Sequence, residues 1–352
     1  MNSPMRIPES GGHRVLLDAY RFVAAYGVAV AHFWAQLGNP TGEFWAAFFV
    51  ELFFPLSGFV LAPQLMRVAS DSRHLPVFYF RRWMRTLPPY WIALALAGFL
   101  AAAATRRDFF LYGVFLQDGG FLAPGTAFFP VAWSLAVEEW FYLLFPAWIL
   151  VGKRLGLRPL SAALLFCACI QAVRLGAVVT GHGDTLRTLT WWRLDAIAMG
   201  FLLWHVRDFH PGPRLATFLG LLVLGAATTL ACLAGRGSLT GWEKWAFIQV
   251  AMVASGAVLW LSVRGEPARC PTGLVWLCAW GGRISYPLYL FHLFFLVWAG
   301  KLAGGIWIYL GTLTMFCAAF HLLVEDPILR QRPSYRKLEP LRGRLRTGRG
   351  AR

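Results

Sequence analysis

Residues 15–37 read VLLDAYRFVAAYGVAVAHFWAQL, and this stretch decides the fold class. As an α-helix it rises about 35 Å at ~1.5 Å per residue, enough to cross a bilayer. It nevertheless carries Asp18, Arg21 and His32. Ionisable side chains inside a spanning helix are costly and are functional candidates by default. Arg21 and His32 are eleven residues apart. That is about three turns, so both fall on one helix face, separated by about 16 Å along the axis. Arg21 is then near the cytoplasmic surface and His32 in the outer half. Asp18 is also explained as an (i, i+3) ion pair with Arg21, and His32 taken alone is also explained as a packing histidine.

The rest of the chain repeats the theme. Of 352 residues, 58% are apolar and 14% are charged, and the mean hydropathy is +0.54. A soluble domain carries about 25% charged residues. Predicted helices run over 15–37, 44–65, 88–104, 132–152, 160–179, 192–206, 213–234, 241–263, 284–300 and 303–325. The stretch 109–116 is apolar but too short to span. With the N-terminus placed in the cytoplasm, twenty-four Lys and Arg fall on cytoplasmic segments and six on outer ones, the bias expected of a membrane protein. The expectation is an all-α integral membrane protein of about ten transmembrane helices with both termini cytoplasmic. It divides into a cytoplasmic segment 1–14, a membrane domain 15–325 and a basic tail 326–352 that anchors on anionic headgroups. The net charge of +16 sits between hydrophobic segments, so it points to membrane lipids and not to nucleic acid. Six cysteines without CxxC spacing read as unpaired, with no metal site.

Further polar residues interrupt apolar stretches. Phe53–Phe59 reads FFPLSGF, where Ser57 and Gly58 suit close helix packing. Arg82 and Arg85 are three apart, ahead of Pro88-Pro89-Tyr90, and guanidinium forks suit phosphate recognition as well as simple anchoring. Trp133–Tyr142 reads WSLAVEEWFY, and at most one of Glu138 and Glu139 can aim at a given pocket. The helix direction places Glu138 at about the depth of His32, where it could raise the basicity of the imidazole and fix its tautomer. Arg193 and Asp195 are two apart, so each needs a partner on another helix. Tyr289 and His292 lie at mid-membrane, and the last helix leaves through Glu325-Asp326-Pro327.

Taken in order, these stretches resemble the acyltransferase 3 family of membrane acyltransferases, which includes acetylases of lipopolysaccharide O-antigen and exopolysaccharide. The matches are Leu17–Arg21 with His32, the FFxLSGF run at 53–59, Arg82-x-x-Arg85 before Pro-x-Tyr, Trp133–Tyr142, Arg193-Leu194-Asp195, Ser285-Tyr286 through His292, and Glu325-x-Pro327. The resemblance implies a ten-helix bundle in the inner (plasma) membrane that takes an acyl group, an acetyl group above all, from acyl-CoA as co-substrate, with no permanently bound cofactor. The acceptor would be a hydroxyl on a glycan, a lipid-linked sugar or a small molecule. Arg21 and His32 would be essential. Arg82 and Arg85, with Arg21, would bind the donor, and His32 would be the general base with Glu138 orienting it. Arg193, Asp195, Tyr289 and His292 are candidates for acceptor or oxyanion contacts, and Asp18, Ser57, Gly58 and Glu325 for structural roles. Relatives with an esterase-like extra domain are longer, so a stand-alone transferase is expected. A glycan-lipid transporter or polymerase is the alternative that buried charges alone would allow.

Overall fold

The structure is a computed structural model that describes residues 12–101, 104–117, 128–182, 190–209, 240–264, 271–299 and 305–335, with scattered positions between 186 and 229. Among the described residues all regular structure is helical. In chain order the helices are α1 (Gly12–Gln36), α2 (Gly42–Ser70), α3 (Leu75–Leu100), α4 (Arg106–Gly113), α5 (Ala132–Arg154), α6 (Pro159–Val179), α7 (Leu194–His205), α8 (Gly241–Arg264), α9 (Thr272–Ala299), α10 (Gly305–Phe320) and α11 (Asp326–Arg330). Among the described residues, six helical segments are long and apolar enough to cross a membrane: Val15–Gln36, Gly42–Ser70, Ala132–Arg154, Pro159–Val179, Gly241–Val263 and Gly305–Arg330. The predicted helix over 213–234 lies largely outside the described residues.

Helix α2 runs through the middle and packs against α1, α5, α7 and α8. Its crossing with α7 is set by two glycines. A Cβ on Gly58 would come within 1.8 Å of the Ile197 carbonyl oxygen, and one on Gly200 within 1.8 Å of the Pro55 carbonyl oxygen. Backbone meets backbone there, the contact that small residues permit in apolar bundles. Phe141, Phe145, Phe166 and Phe201 then fill the space between α5, α6 and α7 with edge and stacked ring contacts.

Two helices begin earlier than the sequence predicts. α3 starts at Leu75 with a proline in its first turn, the position where a missing N–H costs nothing. It then runs straight through Pro88 and Pro89. The proline pair reads as a helix start in sequence, yet it sits inside the helix; just ahead of it, the Tyr286 hydroxyl of α9 donates to the Thr86 carbonyl at 2.8 Å. α9 starts at Thr272 and runs through Gly281-Gly282-Arg283. Those glycines serve packing, since a Cβ on Gly282 would meet the Asp18 Cα at 2.9 Å.

The stretch predicted not to span is α4. Thr105 caps it in a reciprocal box with Asp108, and Tyr90 of α3 donates to the Tyr112 carbonyl at 2.8 Å. At the far end, α10 leads into a π-helical turn, His321–Glu325, where His321 Nδ1 stands 2.7 Å from Glu325 Oε2. The chain continues in packed form to Tyr335, so the first part of the expected tail is structured. Residues 336–352 lie outside the described residues.

Candidate active site

Five helices enclose a pocket of about 110 Å³. α1 contributes Arg21, and α2 contributes Phe53, Phe54 and Ser57. α3 contributes Arg82, Arg85 and Thr86; α5 contributes Ser134, Glu138 and Tyr142; α9 contributes Ser285, Tyr286 and Tyr289. Because α3 begins at Leu75, Arg82 and Arg85 occupy its second and third turns and point inward with Arg21. The wall between Val50, Phe53, Phe54 and Leu56 is apolar.

Charge is concentrated at one end. Arg82 and Arg85 both lie within electrostatic range of Arg21, which also holds an ion pair with Asp18 at 3.0 Å. Arg82 Cζ lies 6.0 Å from the Tyr142 ring, and its buried Nε finds no acceptor among the described residues. Glu138 faces this cluster. Its two oxygens accept from Ser57 Oγ at 2.7 Å and from the Tyr142 hydroxyl at 2.9 Å. Ser57, expected to be a packing residue, is therefore a pocket residue that positions a carboxylate. Gly58 keeps the packing role.

The expected Glu138–His32 partnership is corrected by these contacts. Glu138 stands with the arginines, while the ring that meets His32 belongs to His292. Depth inferred from helix direction misplaced the carboxylate because helix tilt and crossing also set depth. His292 Nδ1 lies 2.8 Å from the Tyr289 carbonyl, and His292 Nε2 lies 3.1 Å from His32 Nδ1. His32 Nδ1 is also 3.1 Å from the Val28 carbonyl. A carbonyl oxygen only accepts, so in the neutral pair each Nδ1 carries the proton. His292 Nε2 then accepts from His32, and the lone pair of His32 is on Nε2. That nitrogen stands 3.9 Å from Glu43 Oε2, with His32 20% and Glu43 64% exposed. Sequence reading passed over Glu43. Its signal was an acid in the first turn of the helix that follows His32.

Tyr289 connects the two regions. It lines the pocket, its ring lies 5.9 Å from that of His292, and its hydroxyl shares a hydrogen bond with Ser134 Oγ at 2.5 Å.

Arg193 and Asp195 go elsewhere, and neither lines the pocket. Arg193 pairs with Glu51 of α2 and Asp195 with Arg174 of α6, with all four side chains at most 2% exposed. Gln171 adds a hydrogen bond to Asp195 at 2.9 Å. The expectation of partners on other helices fits these pairs, but the acceptor-contact expectation does not fit side chains sealed in ion pairs that tie α2, α6 and α7 together. Asp18 and Glu325 hold the ion pairs already described.

The acyltransferase-domain family model matches residues 14–324. Nodulation protein 10 of Rhizobium leguminosarum bv. viciae is 27% identical over 177 residues, 41% of this chain and 47% of that protein. Protein 2 in the picA locus of Rhizobium radiobacter is 32% identical over 152 residues, 40% of this chain and 76% of that protein. A protein of Staphylococcus aureus strain COL named "Putative O-acetyltransferase" is 26% identical over 209 residues, 53% of this chain and 34% of that protein. The chain thus spans about half the length of the first of these and about a third of the last. No solved structure matches. With the family model covering residues 14–324, most of its length, the chain belongs to the acyltransferase 3 family.

Proposed function

We propose that this protein is an acyltransferase of the inner (plasma) membrane that moves an acyl group, an acetyl group above all, from acyl-CoA to a hydroxyl of a glycan, a lipid-linked sugar or a small acceptor. The observation that carries the reading is the order of chemistry along one path. A basic end (Arg21, Arg82, Arg85) leads through an apolar wall to Ser134 and Tyr289, behind which stands the His32–His292 pair. A nucleotide thioester has the same order: anionic head, long neutral arm, reactive carbonyl. The axial distance from Arg21 to His32, about 16 Å, suits such an arm. The transporter or polymerase alternative gives no reason for this order and is not favoured by family membership.

The step follows from the tautomers. His32 Nε2 takes the proton of the acceptor hydroxyl as its oxygen attacks the thioester carbonyl carbon. The C–S bond breaks and the thiolate leaves. The imidazolium so formed donates through Nδ1 to His292 Nε2, while Glu43 lies beside its Nε2–H. Tyr289 is placed to donate to the oxyanion once its bond to Ser134 opens.

The test is acetyl-CoA binding and transfer by the purified protein in nanodiscs. The expected result is that Arg82→Ala/Arg85→Ala loses binding, while His32→Ala binds and does not turn over. A wild type that does not bind acetyl-CoA overturns the reading at its first step.

A further inference from the structure

The segment after α11 returns to the end of the bundle that carries Arg82 and Arg85. It is held there by side chains the proposed reaction leaves unused. Tyr335 is buried, and its ring lies 5.2 Å from Arg67 Cζ and 5.3 Å from Arg81 Cζ. Its hydroxyl donates to Gln64 Oε1 at 3.2 Å. Arg81 Nη1 donates to the Pro333 carbonyl at 2.5 Å. Residues 331–335 thus form a strap tied to α2 and α3, and the strap carries Arg332.

Arg332 is in an unusual setting. Its Nε and Nη2 are buried and have no acceptor among the described residues, as is true of Arg82 Nε. Burial, and then Arg85, Arg82 and Arg81, hold its pKa down to about 9. Glu325 is the acid within its electrostatic range, and that carboxylate is already engaged with His321 at 2.7 Å. Guanidinium donors buried without acceptors and crowded by like charge are costly. An anion with several oxygens relieves both costs, because each fork matches a phosphate edge.

We propose that Arg332, delivered by the C-terminal strap, joins Arg82 and Arg85 in a polyphosphate site that receives the phosphorylated nucleotide end of the donor. The inference rests on the acyl-CoA reading above and extends it to the chain beyond the family match, which ends at residue 324. Tyr335 is a positioning residue that acts through Arg332.

The experiment titrates CoA and 3′,5′-ADP into the full-length protein in zwitterionic nanodiscs, with parallel discs containing phosphatidylglycerol. Arg332→Ala is expected to weaken both ligands about tenfold, as loss of a charge-assisted contact does. Arg332→Lys should recover part of the affinity, and it keeps the test valid if the alanine variant folds poorly. Tyr335→Ala should weaken binding as Arg332→Ala does, with no further loss in the double variant and with kcat at saturating donor unchanged. Wild-type affinity in Arg332→Ala overturns the inference and leaves the acyl-CoA reading standing. A wild type that binds neither probe overturns both. A loss seen only in discs with anionic lipid assigns the strap to a headgroup and overturns the inference.

Discussion

His292 Nε2 lies 3.1 Å from His32 Nδ1, and this contact leaves Nε2 of the neutral His32 as the nitrogen that would serve as the proposed base. The Tyr289 carbonyl fixes the proton of His292 on Nδ1, so the pair has one consistent neutral arrangement. His292→Phe takes away the ring acceptor that faces the part-buried Nδ1–H of His32. At about 1–3 kcal/mol for a compromised buried donor, kcat should fall about ten- to hundredfold with the donor KM nearly unchanged. His292→Gln, which can still accept, should recover part of the rate. A loss confined to donor KM would show that His292 belongs to the binding pocket and not to the base.

Glu138 makes the opposite prediction. Its carboxylate sits opposite Arg21, Arg82 and Arg85 and is bonded to Ser57 and Tyr142. Glu138→Gln removes one negative charge from beside a cationic site, so donor affinity should rise a few-fold at low ionic strength and the gain should fade with salt. The turnover number should fall by less than about tenfold, since the general-base assistance of about 10²–10⁴ proposed for His32 is untouched. A hundredfold loss of kcat at unchanged donor KM would restore Glu138 as the orienting partner of His32.

Much of this arrangement was legible in the sequence, and the reasons are specific. Arg21 and His32 share a face because helical periodicity is local, and the (i, i+3) pair of Asp18 and Arg21 follows from the same rule. The start of α3 was not legible, because Pro88-Pro89 carries the same letters whether it opens a helix or interrupts one. The partner of His32 was not legible either. Choosing between Glu138 and His292 requires the tilt of α5 and α9 relative to α1, which is set by contacts such as Gly282 against Asp18. Arg332 lay in a run of basic residues that composition reads as an anchor, and only the docking of Tyr335 onto Arg67 and Arg81 separates it from the rest.

The crossing of α2 and α7 predicts a stability effect without direct loss of chemistry. Gly58→Ala pushes a methyl to 1.8 Å from the Ile197 carbonyl oxygen, and both atoms belong to stiff helical backbones. Overpacking of this kind costs about 1–3 kcal/mol. The detergent-solubilised protein should melt several degrees lower, and the yield of folded protein should drop. An unchanged melting temperature would mean that α2 and α7 lie farther apart than the backbone contacts of Gly58 and Gly200 require.

Arg193 separates a structural from a binding role most sharply. Its guanidinium pairs with Glu51, and both side chains are sealed from solvent at 0% and 2% exposure. Arg193→Met leaves Glu51 as an uncompensated buried charge, a loss of about 3–5 kcal/mol, and should prevent accumulation of folded protein. Glu51→Leu combined with Arg193→Met removes both charges, and such apolar replacements of buried pairs are often neutral. If the pair is scaffold, the double variant folds and transfers acyl groups with an acceptor KM close to wild type. If Arg193 instead contacts the acceptor, the double variant folds, binds the donor normally and shows a raised acceptor KM. The rescue of folding tests the ion pair, and the acceptor KM of the rescued protein tests the role.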